Sequence, residues 1–187
     1  MKVDIFNTDK KYNIIYADPP WDFGSKQLQK TKGSRFHSLN EEYNTEKTIK
    51  MQEWDIKRIC EKNSAIFMWT TDAHIEEAIN LMKSWGFKYV TVAFVWSKQS
   101  KNNKEVYTLG AWTLKNCELC LFGTRGRMLK YKKSNNVKQL VKAERTKHSK
   151  KPNVVYGYIE ELFGDLPRIE LFARQHIEGW DCWGNEV

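Results

Sequence analysis

Asn13-Ile14-Ile15-Tyr16-Ala17-Asp18-Pro19-Pro20-Trp21 is the stretch that decides the fold. Its first five residues, rich in β-branched and aromatic side chains, read as a buried strand. The two prolines cannot continue a sheet ladder, so the chain leaves the sheet there. A carboxylate, a rigid turn and a large aromatic ring therefore stand together at the carboxyl end of a strand, where open α/β sheets bind their ligands. The group suits an exocyclic amine on a flat base. The Asp18 carboxylate and the Pro19 carbonyl can both accept N–H bonds from one amino group, and Trp21 can stack on the ring. Neither Pro19 nor Pro20 offers a backbone donor, so this corner is rich in acceptors, which an amine needs and a phosphate does not. Taken alone, Asp-Pro-Pro-Trp also reads as a turn that ends a strand. The strand before it and the tail of the chain favour the ligand site.

Working outward, strands are expected over 64–69, 89–96, 118–123, 137–143 and 168–172, and helices over 46–62, 73–85 and 152–163. The second helix has Thr71 or Asp72 as N-cap, Ile75, Ala78, Ile79 and Met82 at helical spacing, and Gly86 as its stop. The third has Pro152 in its first turn and ends at Gly164. Strands alternating with helices imply an α/β fold with a mostly parallel sheet covered on both faces. No repeat or linker divides the chain, so residues 1–187 form a single domain. Two long segments, 22–45 and 97–113, carry neither period and are expected at one edge of the sheet as substrate or interface loops. Lys26, Lys30, Lys32, Arg35, Lys98, Lys101 and Lys104 agree with that role.

The net charge of +8 is concentrated. Residues 125–151 hold eleven Lys and Arg against Glu144 alone, leaving the rest of the chain slightly negative. Such a strip supplies salt-sensitive, sequence-independent phosphate contacts, with Arg125, Arg127, Lys130, Lys132 and Lys133 as candidates. A charge run is more often a solvated loop, but this one lies between two motif segments. Cys117 and Cys120 fall in a strand at a spacing that points them to opposite faces, and no second pair completes a zinc site, so all four cysteines read as reduced thiols. No G-x-G-x-x-G or P-loop occurs, which argues against a dinucleotide or triphosphate held by a glycine-rich turn. No signal-like start and no apolar run approaching membrane length is present, so a soluble cytoplasmic protein without membrane contact is expected.

Four motifs in this order resemble the MT-A70 group of S-adenosylmethionine-dependent adenine-N6 methyltransferases, in particular its short prokaryotic and phage members. They are Tyr16-Ala-Asp-Pro-Pro-Trp21; Gly110-Ala-Trp112 with Glu118-Leu-Cys-Leu-Phe-Gly123; His148-Ser-Lys-Lys-Pro152 running into Tyr156-Gly-Tyr-Ile-Glu160; and Ile169-Glu-Leu-Phe-Ala-Arg174 with Gly179-Trp-Asp-Cys-Trp-Gly-Asn-Glu186. The resemblance implies a Rossmann-like methyltransferase sheet in circularly permuted order, with the catalytic strand first and the cofactor strand, 168–172, last. It also implies contacts to S-adenosyl-L-methionine from Asp4, Ile5, Asp18, Lys151, Arg174, His176, Asn185 and Glu186. Lys151 would hold the methionine carboxylate, Asp4 the adenine amine, and Asn185 with Glu186 the ribose hydroxyls. Departures are visible. Ile177 stands where some relatives have Asn, Glu186 where many have Gln, and Ala173-Arg174-Gln175-His176 where other methyltransferases carry a glycine-rich turn. A lone histidine such as His176 is also an ordinary surface residue.

The activity implied is methylation of adenine N6 in DNA, with no metal. Asp18, Pro19, Pro20 and Trp21 would form the catalytic corner, and the target base would be flipped into it. Trp112 and Glu118 join the substrate side by the same resemblance, although Glu118 in a strand could simply pair with a nearby base. RNA is the alternative substrate, since eukaryotic relatives include messenger-RNA enzymes. A non-catalytic nucleic-acid-binding subunit is the alternative from another class, but such partners have lost the acidic tetrapeptide that this chain keeps. Eukaryotic relatives work in pairs, so a homodimer is expected, with Val106, Tyr107, Leu109 and Trp112 as its contact.

Overall fold

The computed structural model describes residues 1–21, 48–110, 112–146 and 150–187, excluding the side chains of Thr48 and Ile49. The expected loop 22–45, the start of the expected 46–62 helix, Ala111 and residues 147–149 of the basic strip lie outside the described residues. Nine strands follow in chain order: β1 (Tyr12–Ala17), β2 (Cys60–Thr70), β3 (Lys88–Gln99), β4 (Thr108–Leu109), β5 (Leu114–Lys115), β6 (Cys117–Arg125), β7 (Leu140–Glu144), β8 (Arg168–Leu171) and β9 (Asp181–Trp183). Seven form one sheet in the order β7-β3-β6-β2-β1-β8-β9, while β4 and β5 form a separate hairpin. Within the sheet only β6 runs against the rest. The mostly parallel α/β sheet expected from the sequence is therefore present.

β1 is apolar because it is enclosed on every side. It pairs in parallel with β2 and β8, placing Ile15 between Ile66 and Ile169. Successive residues point to opposite faces. Ile15 and Ala17 join Ile66, Met68 and Leu121 on the face covered by α2 (Ile75–Ser84), where Ala78, Leu81 and Met82 are buried. Ile14 and Tyr16 join Phe67, Trp69 and Phe94 on the face covered by α3 (Val154–Phe163), through Val155, Ile159 and Phe163. Fully burying each large apolar side chain contributes about 1.5–3 kcal/mol, so two such cores readily fix the strand order.

The expected 46–62 helix is largely replaced. Only α1 (Thr48–Gln52) is α-helical; a 3-10 turn covers Ile56–Ile59, and β2 begins at Cys60. Met51, Ile56 and Ile59 are buried, but their spacing of five and three does not line one α-helical face. α2 is led by a 3-10 turn, Asp72–His74, and Thr71 Oγ1 bonds His74 Nδ1 at 2.8 Å instead of capping a backbone N–H. β3 continues through Gln99 into the segment read as a loop, which also holds the β4–β5 hairpin. β8 stops at Leu171 because Phe172 takes a left-handed φ of 62°, and the short edge strand β9 follows it. Among the described residues, no helix is long and apolar enough to cross a membrane.

The six parallel strands end at a common edge, the carboxyl edge, and antiparallel β6 starts there.

Candidate active site

Asp18 leaves β1 at the carboxyl edge, and the prolines turn the chain away beside the end of β2. Glu118 reaches the same edge as the second residue of β6. Lys98, near the end of β3, arrives alongside it, and its N–H donates to the Asn116 carbonyl at 2.8 Å. Lys151 enters after β7. Its Nζ lies 2.9 Å from Asp18 Oδ2 and 3.0 Å from Glu118 Oε2, while Lys98 Nζ lies 2.6 Å from Glu118 Oε1. The result is a ladder of alternating charge, Asp18–Lys151–Glu118–Lys98, in which even the most accessible side chain is only 19% exposed.

Burial opposes ionisation, so the ladder persists only because each charge faces its opposite. Burial alone would push the Glu118 carboxyl up, but Lys151 and Lys98 outweigh it and hold the group below its ordinary value. Burial likewise disfavours the Lys151 cation, yet Asp18 and Glu118 raise its pKa. An indole lies beneath each cation: Lys151 Nζ is 5.8 Å from the Trp69 ring and Lys98 Nζ is 5.4 Å from Trp96. Those rings are pinned in turn. Trp69 Nε1 donates to Tyr16 Oη at 2.6 Å, and Trp96 Nε1 donates to the Ala143 carbonyl at 3.0 Å. The Asp18 carboxylate engages Lys151 through Oδ2.

Trp21 is placed differently from the expected stacking platform. It is 5% exposed, its Nε1 donates to the Trp69 carbonyl at 3.0 Å, and its ring stacks on His74 at 5.9 Å. The ring face turned to His74 is covered by that contact. Trp112 stands at the same edge in the β4–β5 turn and is 95% exposed, while Lys115 of that hairpin bonds Asp72 at 2.8 Å beyond the end of β2. Arg125, Arg127, Lys130, Lys132 and Lys133 are elsewhere. β6 carries them to the opposite, amino edge, where Arg125 pairs with Ser64 and the Arg127 N–H donates to Asn63 Oδ1 at 2.7 Å. The structure does not bring them together with Asp18.

The remaining expected cofactor residues gather at the ends of β8 and β9. Gly184 is packed so closely on the turn after β8 that an added Cβ would stand 2.6 Å from the Ala173 nitrogen, and the Ala173 N–H donates to the Trp183 carbonyl at 2.9 Å. This close approach joins the segment bearing Arg174 and His176 to the tail bearing Asn185 and Glu186. Arg174 Nε lies 3.6 Å from Glu186 Oε1, and His176 Nδ1 lies 3.2 Å from Cys182 Sγ. Asp4 follows an N-terminal segment running parallel to β9; bonds from the Phe6 N–H and the Asn7 side chain hold its carboxyl below the ordinary value. Ile5 is a core residue whose carbonyl accepts from Arg58 Nη2 at 2.8 Å. Acceptor carboxylates at Asp4 and Glu186, the Asn185 amide and the donor guanidinium of Arg174 form a set that fits a nucleoside bearing an amino-acid tail. Lys151, expected to hold the methionine carboxylate, lies against Asp18 and Glu118 at the neighbouring strand ends.

Sequence reasoning missed two charged members. Lys98 was seen only as a loop cation, although its place two residues after Trp96 in a strand sets it on the same face. Glu170 is an acid flanked by Ile169 and Leu171, and that pattern in a strand buried on both faces was a usable signal. It is 7% exposed and accepts from Tyr156 Oη at 3.0 Å. Burial raises its carboxyl to about 7, with Asp18 adding repulsion against the opposing Tyr156 bond. Such an acid favours folding most below its ordinary value of 4.5 and loses that contribution as pH rises through about 7. Glu170→Gln carries no charge at any pH. It should gain stability relative to wild type by about 1–3 kcal/mol between about pH 5 and about pH 8. Thermal unfolding at both pH values checks this, and an offset that does not change with pH would refute it.

The MT-A70 family model matches residues 12–186. The chain is 40% identical over 191 residues to the Type II methyltransferase M.MunI of Mycoplasma sp, covering 95% of this chain and 78% of that protein. It is 27% identical to the N(6)-adenosine-methyltransferase MT-A70-like protein of Drosophila melanogaster, covering 95% of this chain and 27% of that one. The N(6)-adenosine-methyltransferase catalytic subunit METTL3 of Homo sapiens is 26% identical, with 95% and 28% covered. The chain thus spans only about a quarter of these longer eukaryotic proteins. With its motifs at one sheet edge and the family model spanning nearly its whole length, the chain belongs to the MT-A70 methyltransferase family.

Proposed function

We propose that this protein is a cytoplasmic enzyme that transfers a methyl group from S-adenosyl-L-methionine to the N6 amine of adenine in DNA. The observation that carries the reading is the buried ladder, which fixes Asp18 beside the acceptor-rich Pro19–Pro20 corner. The cofactor supplies an electrophilic methyl group on a sulfonium; Arg174, Asn185, Glu186 and Asp4 would bind it. Asp18 and the Pro19 carbonyl accept the two amine hydrogens. They draw the N6 lone pair out of conjugation with the ring and stabilise the positive charge that develops there. Holding amine and methyl donor in line supplies much of the rate. Higher identity to the type II methyltransferase than to the N(6)-adenosine-methyltransferases favours DNA over RNA. Matched DNA and RNA oligonucleotides, assayed with labelled cofactor, test the choice. Mass spectrometry of DNA from expressing cells then maps the modified adenine. Faster transfer to RNA, or modification at a position other than N6, would overturn the proposal.

The protein works as a homodimer in this reading. Of the expected contact, Tyr107, Leu109 and Trp112 are 51%, 76% and 95% exposed and Val106 is half-buried, while Leu114 beside them is 59% exposed, so the three exposed side chains do not pack back onto their own sheet. Such a cluster favours a partner surface. Light scattering at micromolar concentration is expected to give twice the 22.2 kDa chain mass. A monomer mass with activity retained on dilution would end the idea.

A further inference from the structure

The basic strip begins far from the chemistry. Arg125 lies seven positions beyond Glu118 along β6, which at about 3.3 Å per position is roughly 23 Å of strand. At the amino edge the chain makes a 3-10 turn, Met128–Tyr131, held by buried Met128, and the Lys133 N–H donates to the Leu162 carbonyl at 2.7 Å near the end of α3. Among the described residues Arg125, Arg127, Lys130 and Lys133 form no ion pair. From there the strip climbs β7, the outermost strand, where Lys142 is exposed, and re-emerges at the carboxyl edge with Arg145, whose N–H donates to the Gln99 carbonyl at 2.7 Å. Lys150 and Lys151 complete it. The described residues of the strip therefore form a track along one side of the molecule, from the amino edge to the active site.

We infer that this track binds the phosphates of duplex DNA flanking the target. Lys130, Lys132 and Lys133 hold a segment roughly seven to ten base pairs to one side of the flipped adenine, at about 3.4 Å per pair. The inference rests on the DNA reading above. A duplex fits better than a single strand because the track offers cations without open stacking platforms. Its aromatic side chain, Tyr131, is half-buried and has Lys130 Nζ 4.8 Å from its ring.

The test compares two duplexes carrying the mapped adenine, one with four flanking base pairs on each side and one with twenty, assayed near 0.1 M salt. Wild type is expected to prefer the long duplex by about tenfold in kcat/KM, because only it reaches the far cations. The Lys130→Ala, Lys132→Ala, Lys133→Ala variant should bring that ratio to within about twofold of one, while the corresponding triple Arg variant should preserve it. Partial unfolding lowers both rates together and leaves the ratio unchanged. A variant that methylates both duplexes with the wild-type ratio overturns the inference alone. If neither duplex is methylated by wild type, the DNA reading fails and the inference with it. If single-stranded RNA of the same length competes for the long-duplex advantage better than duplex DNA does, the track is an RNA surface and the inference is wrong.

Discussion

Asp18→Ala is expected to lower methyl transfer by at least about a thousandfold while the protein stays folded. Loss of one preorganised group facing charge in a transition state typically costs about 10²–10³ in kcat, and Asp18 here both accepts an amine hydrogen and faces the charge that develops on N6. The fold should survive because Asp18 lies in a turn outside β1, its side chain is 17% exposed, and Lys151 retains Glu118 as a partner. Asp18→Asn separates the two roles. The amide oxygen can still accept a hydrogen bond but carries no charge, so a rate between wild type and Asp18→Ala would assign the remaining loss to electrostatics. Single-turnover rates with saturating cofactor, alongside circular dichroism, make the measurement. Turnover of Asp18→Ala within tenfold of wild type would remove the residue from the chemistry.

The parts of this molecule that were legible in its sequence are those specified locally. β1 and its proline exit were readable because a strand enclosed on both sides is nearly all apolar and because proline ends a ladder. α3 was bracketed by Pro152 and Gly164, and its observed span, Val154–Phe163, lies within those marks. What stayed hidden depends on contacts distant in sequence. The buried residues around Trp54 answer to Phe6, Phe172 and Trp183, so the 46–62 segment follows tertiary packing rather than a helical period. The ladder joins residues 18, 98, 118 and 151 through the antiparallel sense of β6, which no local pattern reveals. That same reversal carries Arg125 away from the site, although it follows Glu118 by only seven residues in the chain.

Lys151→Met should have the other large effect, and it should be visible in stability as well as activity. Removing the cation leaves Glu118 with Lys98 alone and Asp18 without its ion pair to Lys151. Breaking a buried pair by deleting one partner typically costs about 3–5 kcal/mol, mostly for the charge left behind. Partial exposure of Asp18 puts the expectation near the lower end, about 3 kcal/mol. The pH dependence carries a sign. Glu118, held below its ordinary 4.5, stabilises the wild type above that value and ceases to do so as pH falls through its folded-state pKa. Lys151, raised above 10.5, contributes below that value and loses its contribution as pH rises through its folded-state pKa. Glu118 and Lys151 are thus both charged across neutral pH, and the damage from Lys151→Met should be greatest there and shrink towards acid, where Glu118 can protonate in the variant. Adding Glu118→Gln should recover part of the stability, because it removes the excess negative charge that loss of Lys151 leaves among Asp18, Glu118 and Lys98. Activity should not return with it, since Asp18 is still unheld. Denaturant unfolding of the four proteins at neutral and acid pH gives the coupling directly. Additive losses for Glu118→Gln and Lys151→Met would mean that the two side chains stand near each other without acting as a unit.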